Sequence, residues 1–157
     1  MARRSSARLH IQSHQSHLRA PRKRFEAAIW AAFRLAGKPR RSLSLVLVDD
    51  REIRRLHRQF FDLDTVTDVI SFPLEDAGEP GEELLGEVVL SAQTAVREAS
   101  RRRHPRTFEA TLYAVHGTLH LLGFDDHEPA ERAAMRQAER RCLKAAGIDH
   151  DLRVDPV

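Results

Sequence analysis

Phe108, Leu112, Val115, Leu119 and Leu122 recur at spacings of four, three, four and three, and the run stops at Gly123. That period draws one apolar stripe along an α-helix, and the glycine marks its end with a residue suited to a left-handed turn. A stripe of this kind commits the chain to a fold in which other elements cover the helix. His116 and His120 stand four apart on the same helix, off the stripe, so both imidazoles project from one side, one turn apart.

The rest of the chain supplies the cover. Leu9 to Ser13 alternates apolar and polar side chains and reads as a short edge strand. From Pro21 onward, Phe25, Ala28, Ile29, Ala32, Phe33 and Ala36 recur at helical spacing until Gly37 and Pro39 break the pattern. Ser42 to Val48 (SLSLVLV) has the look of a strand buried on one or both faces. Asp50 is expected to cap a helix over Arg51 to Phe60, with Ile53 and Leu56 facing inward. Thr67 to Phe72 (TDVISF) is rich in β-branched and aromatic residues and is expected to end at Pro73.

Glu75 to Glu83 (EDAGEPGEE) is a loop by composition and leads to an apolar strand, Gly86 to Leu90. Ser91 then caps a helix reaching about Arg103, with His104 and Pro105 at the break. A last helix is expected from Pro129 to Ala146, with Ala133, Met135, Ala138, Cys142 and Leu143 inside and Gly147 past its end. The order of elements predicts an α+β single-domain layered fold, a small mixed β-sheet packed with helices, one of them a zincin-like helix carrying the metal site. We place a basic disordered tail at residues 1–8, one domain at 9–150 and a C-terminal tail at 151–157.

One cysteine, Cys142, excludes an intrachain disulfide and fits a reducing compartment. Met1 to Arg24 holds no apolar secretion segment, and no run approaches a membrane span. These features predict a soluble, cytoplasmic protein with no membrane partner. Charge is unevenly distributed: residues 1–41 carry eleven Lys or Arg against only Glu26, whereas residues 42–157 carry fifteen against twenty-two Asp or Glu. The basic end is suited to phosphate.

Two histidines one turn apart on a rigid helix supply half of a tetrahedral zinc shell. Gly123 turns the chain back, so a third ligand is expected from Phe124 to His127 (FDDH). The spacing parallels the metzincin zinc protease pattern, in which the third ligand falls at Asp126. His127, one residue later, is the more usual partner of two histidines. Three ligands without cysteine leave a position for water, as in a catalytic site. Yet the Glu that follows the first His in metallopeptidases is Gly117 here.

His116 to His127 (HGTLHLLGFDDH) resembles the signature HGxLHLxGyDH of the YbeY family of bacterial endoribonucleases. Leu45 to Leu56 (LVLVDDREIRRL), Thr67 to Pro73 (TDVISFP) and Leu85 to Ala99 (LGEVVLSAQTAVREA) resemble that family's other blocks, in the same order. The resemblance implies a zinc-dependent hydrolase, one Zn2+ per chain, acting on single-stranded ribosomal RNA. It implies maturation of the 3′ end of 16S rRNA, ribosome quality control, and the ribosome or its small subunit as partner. It carries the three zinc ligands onto His116, His120 and His127, with Asp126 as the alternative third ligand; the spare carboxylate, Asp126 or Asp125, is then the nearest candidate catalytic base.

The sequence departs from the family pattern at two places. An Asp is inserted before His127, and Phe61 stands where the family usually has an Arg, with Leu63 and Val66 in place of the following Lys and Pro. Arg58, one helical turn earlier, is the nearest basic residue to substitute. Asp68 and Ser71 are expected to line the cleft from the strand. Arg22, Lys23 and Arg24, with Arg101, Arg102 and Arg103, are expected to bind RNA by tracking its phosphates. With one Trp and one Tyr available for stacking, recognition is expected to lean on charge. The rival readings are a metzincin-like zinc peptidase and a noncatalytic ribosome-associated factor with structural zinc.

Overall fold

Parallel pairing of the first two strands sets the frame of the computed structural model, which describes residues 7–74 and 84–148. Strand β1 (Leu9–Ser13) lies beside β2 (Ser42–Val48), with Leu9 opposite Leu43 and Ser13 opposite Leu47. Parallel neighbours need a crossover, and α1 (Arg22–Leu35) is that crossover. The elements that follow are α2 (Asp50–Phe61), β3 (Val69–Pro73), β4 (Leu84–Ser91), α3 (Ala92–Arg102), α4 (Arg106–Leu121) and α5 (Pro129–Ala145). Strand order is β1-β2-β4-β3, with β4 parallel to β2 and antiparallel to β3. This is the expected α+β arrangement around a small mixed sheet.

Residues 1–6 of the expected tail, the acidic loop 75–83 and residues 149–157, including the expected tail 151–157, lie outside the described residues. Arg8 belongs to the folded unit: its N–H donates to Ser42 Oγ and its carbonyl accepts from Leu43 N–H, both at 3.0 Å. Among the described residues no helix is long and apolar enough to cross a membrane.

Leu43, Leu45 and Leu47 of β2, with Val88 and Leu90 of β4, turn one face of the sheet toward α1, α4 and α5. The opposite face is covered by α2, whose Ile53 packs with Val48, Ile70 and Val89. Helix α4 is therefore central. Its expected stripe is buried, and so are Ala110, Thr111, Ala114, Gly117 and Thr118 between the stripe residues. Small side chains at those places admit neighbours on every side. The two threonines close their hydroxyls onto the helix itself, Thr111 donating to Thr107 O and Thr118 to Ala114 O.

Three local expectations differ from the structure. Asp49, not Asp50, caps α2 by accepting from Glu52 N–H at 2.9 Å, because Asp50 is drawn away by the start of α3. Its carboxylate accepts from Ser91, Thr94 and Arg97. Pro73 is the last residue of β3 instead of its stop, which an edge strand tolerates because one side of its backbone is unpaired. In α5, Ala133 is exposed, while Glu139 takes a fully buried place beside Met135 and Cys142. Cys142 is free and buried, and burial pushes its thiol up to about 11, as expected of a packing residue.

Candidate metal centre

The end of α4 brings three donor atoms together. His116 Nε2 and His120 Nε2 are 3.1 Å apart, and each lies 3.5 Å from Asp126 Oδ2. Zinc holds nitrogen and oxygen near 2.1 Å in a tetrahedron, whose edges are then about 3.4 Å. The three distances match three such edges. A proton shared between the rings accounts for the 3.1 Å contact alone, but not for a carboxylate oxygen equidistant from both nitrogens. Among the described residues these three form the group of His, Cys, Asp and Glu able to hold a metal ion.

Gly123, at φ +103°, lets the chain reverse after α4, with Phe124 N–H returning to Leu119 O at 3.0 Å. The reversal carries Asp126 back beside the histidines. His127, the third ligand that the resemblance favoured, is exposed and outside the donor group. One step further along the turn its side chain leaves the cleft, and its carbonyl accepts from Arg132 at 2.7 Å. Asp125 is also exposed. Of the two candidates for third ligand, the geometry gathers Asp126.

A residue that the sequence reading missed lies behind His116. Glu139 of α5 is 0% exposed, and its Oε1 accepts from His116 Nδ1 at 2.8 Å while Arg136 donates to Oε2 at 3.1 Å. A carboxylate accepts only, so the imidazole proton sits on Nδ1 and the Nε2 lone pair is left for a metal. The signal was present: Glu139 follows Met135 by four and precedes Cys142 by three, a charge placed on an apolar stripe.

Asp68, Ser71, His57 and Phe61 line a cleft of about 360 Å³ with His116 and His120. Burial pushes the Asp68 carboxyl above the usual carboxylate range, although the nearby His116 opposes the shift. Ser71 donates to Gly117 O at 2.9 Å. A Cβ on Gly117 would meet Val88 Cγ1 at 2.7 Å and Ser71 Oγ at 2.9 Å, so any side chain there would force its neighbours on the sheet to shift. The position that would hold a peptidase's glutamate is the seam where α4 presses on the sheet.

The expected RNA-binding basic residues lie at more than one place. Arg101 and Arg102 line a second concavity that also reaches Asp68 and His116, and Arg97 joins them. Both are also paired with Glu98. Arg22, Lys23 and Arg24 line a different hollow at the start of α1, while Arg103 is the exposed C-cap of α3. Arg58 is exposed and absent from the cleft lining.

Fold and site together define a small α+β domain in which two imidazoles and a carboxylate, able to hold a metal ion, gather beside a cleft. A family model described as Endoribonuclease YbeY matches residues 10–147, and the chain belongs to that family. An Endoribonuclease YbeY from an Anaeromyxobacter species is 38% identical over 91% of this chain and 73% of its own length. One from Rhodopirellula baltica is 43% identical over 83% of this chain and 66% of its own length. The solution structure of a Thermotoga maritima protein shares the fold at a TM-score of 0.59 and 21% identity, covering 94% of this chain and all of that one.

Proposed function

We propose that this chain is a metal-dependent endoribonuclease that cuts single-stranded RNA and acts in ribosomal RNA maturation. The observation that carries the reading is the convergence of His116, His120 and Asp126 beside a cleft, in a member of a family whose relatives are named endoribonucleases. Two imidazoles and a carboxylate suit zinc, one ion per chain. When bound, zinc supplies a Lewis acid for a phosphoryl oxygen and can lower the pKa of a water from 15.7 to about 7.

The chain's own residues do the rest. Glu139 fixes the tautomer and orientation of His116. Asp126, as a ligand, is not free to act as base. Asp68 lines the cleft beside His116 and His120 and is placed to exchange a proton with the reacting oxygen. Arg97, Arg101 and Arg102 draw the phosphates on the α3 side toward the donors. The ribosomal small subunit, the 3′ end of 16S rRNA and a cytoplasmic setting complete the proposal.

Gly117 disfavours the peptidase reading, since it stands where a metallopeptidase carries its glutamate and packs against Val88 and Ser71 of the sheet. The test is cleavage of a labelled single-stranded RNA and of its duplex by zinc-loaded wild type and by His116→Ala. Cutting confined to the single strand and to wild type supports the reading. Equal cutting by both proteins points to a contaminating nuclease, and cutting of casein instead of RNA revives the peptidase.

A further inference from the structure

The large hydrophobic side chains exposed among the described residues come from one short stretch: Phe60 at 56%, Phe61 at 49%, Leu63 at 50% and Val66 at 42%. Solitary exposed apolar residues need no explanation, but a contiguous patch at the rim of a polar cleft does. Phe61 lines the same cleft as His116 and His120. Its ring is braced, with its centroid 5.8 Å from that of His57 and 6.2 Å from that of Phe72. His57 is anchored in turn by a 2.9 Å contact from Nδ1 to Thr65 O, and Phe60 meets Phe72 edge-on at 5.1 Å. Phe72 directly follows Ser71, a residue of the cleft.

We infer that Phe61 is a stacking platform for an unpaired base of the RNA, next to the phosphate held at the donor atoms. The inference rests on the nuclease reading and adds a source of its preference for single strands. In a duplex both faces of a base are covered by its neighbours, whereas an unpaired base has a free π-face for an aromatic ring. The patch is continuous with the catalytic cleft, which makes a flanking nucleotide its occupant. It adds stacking to a recognition expected to lean on charge: phenylalanines from α2 and β3 gather here, although the sequence holds one Trp and one Tyr.

The experiment uses zinc-loaded full-length protein and single-stranded RNAs in which one 2-aminopurine is moved along the strand, read in the binding phase of a stopped-flow trace. Wild type should quench one position strongly. Phe61→Ala and Phe61→Leu should lose that quenching and bind about 5- to 150-fold more weakly, the range that 1–3 kcal/mol per stacked base gives. Phe61→Trp should keep both, and binding to a duplex of the same sequence should not change in any variant. Phe61 is half exposed, so each variant should stay folded, with its melting temperature lowered by no more than the loss of the His57 and Phe72 ring contacts allows.

Full binding by Phe61→Leu would mean a merely apolar contact, such as a protein partner makes, and overturns the platform. Equal weakening toward single strand and duplex overturns it as well. If wild type binds and cuts single strands while quenching no position, the platform falls and the nuclease reading stands. If wild type neither binds nor cuts single strands, both fall.

Discussion

Replacing Glu139 by Leu should weaken metal binding without touching a ligand. In the structure the His116 Nδ1 proton has one acceptor, Glu139 Oε1 at 2.8 Å, in surroundings where His116 is 6% exposed. Leucine fills a similar volume but leaves that N–H unpaired and lets the ring rotate or carry its proton on Nε2, the atom aimed at Asp126. A hydrogen bond to a charged group contributes about 1.5–3 kcal/mol, and 1.4 kcal/mol is a factor of ten. The expected loss of zinc affinity is therefore about 10- to 100-fold, the usual scale for an outer-shell partner of a ligating histidine. Glu139→Gln keeps an acceptor but not its charge and should lose less than about tenfold. Competition of each variant against a chelator of known affinity measures this. If Glu139→Leu binds zinc within twofold of wild type, the orienting role assigned to Glu139 is wrong.

Other expectations follow from the same structure. Gly117→Ala should lower unfolding free energy by about 1–3 kcal/mol, because its Cβ would stand 2.7 Å from Val88 and 2.9 Å from Ser71; an unchanged denaturant midpoint would contradict the seam. Asp50→Asn should cost about 1–2 kcal/mol at neutral pH, since Thr94, Arg97 and Ser91 hydrogen bond to the carboxylate. Burial alone would raise the Asp50 carboxyl, but those bonds outweigh it and hold the group below its ordinary 3.8. The folded pKa lies under the unfolded one, so the stabilisation is present above about pH 4 and fades as pH falls through the lowered value. Wild type and variant should converge in thermal melts toward pH 2, and a gap that widens with acid would refute the sign.

Much of the fold was legible because it rests on local patterns. β2 occupies Ser42–Val48 as its apolar run indicated, and Pro129 starts α5. The cap of α2 was misassigned because Asp49 and Asp50 have the same local chemistry; only the approach of Ser91, Thr94 and Arg97 from α3 separates them. Periodicity marked one stripe on α4 but could not disclose burial all round, which depends on how many neighbours pack against small residues. The histidine pair was visible as an i, i+4 spacing. Glu139 was visible as a charge on the apolar stripe of α5, but its pairing with His116 was not, because that partner lies twenty-three residues away on another helix. Spacing pointed to Asp126 and ligand chemistry to His127; the course of the chain after Gly123 brings Asp126 beside the two imidazoles.

Zinc-dependent recovery of RNA cleavage tests the central claim most directly. Protein stripped with a chelator is titrated with zinc, and cutting of a single-stranded RNA is followed in wild type, Asp126→Ala and His127→Ala. The account predicts recovery at one equivalent per chain for wild type and His127→Ala, and a requirement for far more zinc in Asp126→Ala. Cutting that persists without metal, or a zinc requirement raised by His127→Ala and left unchanged by Asp126→Ala, would contradict it.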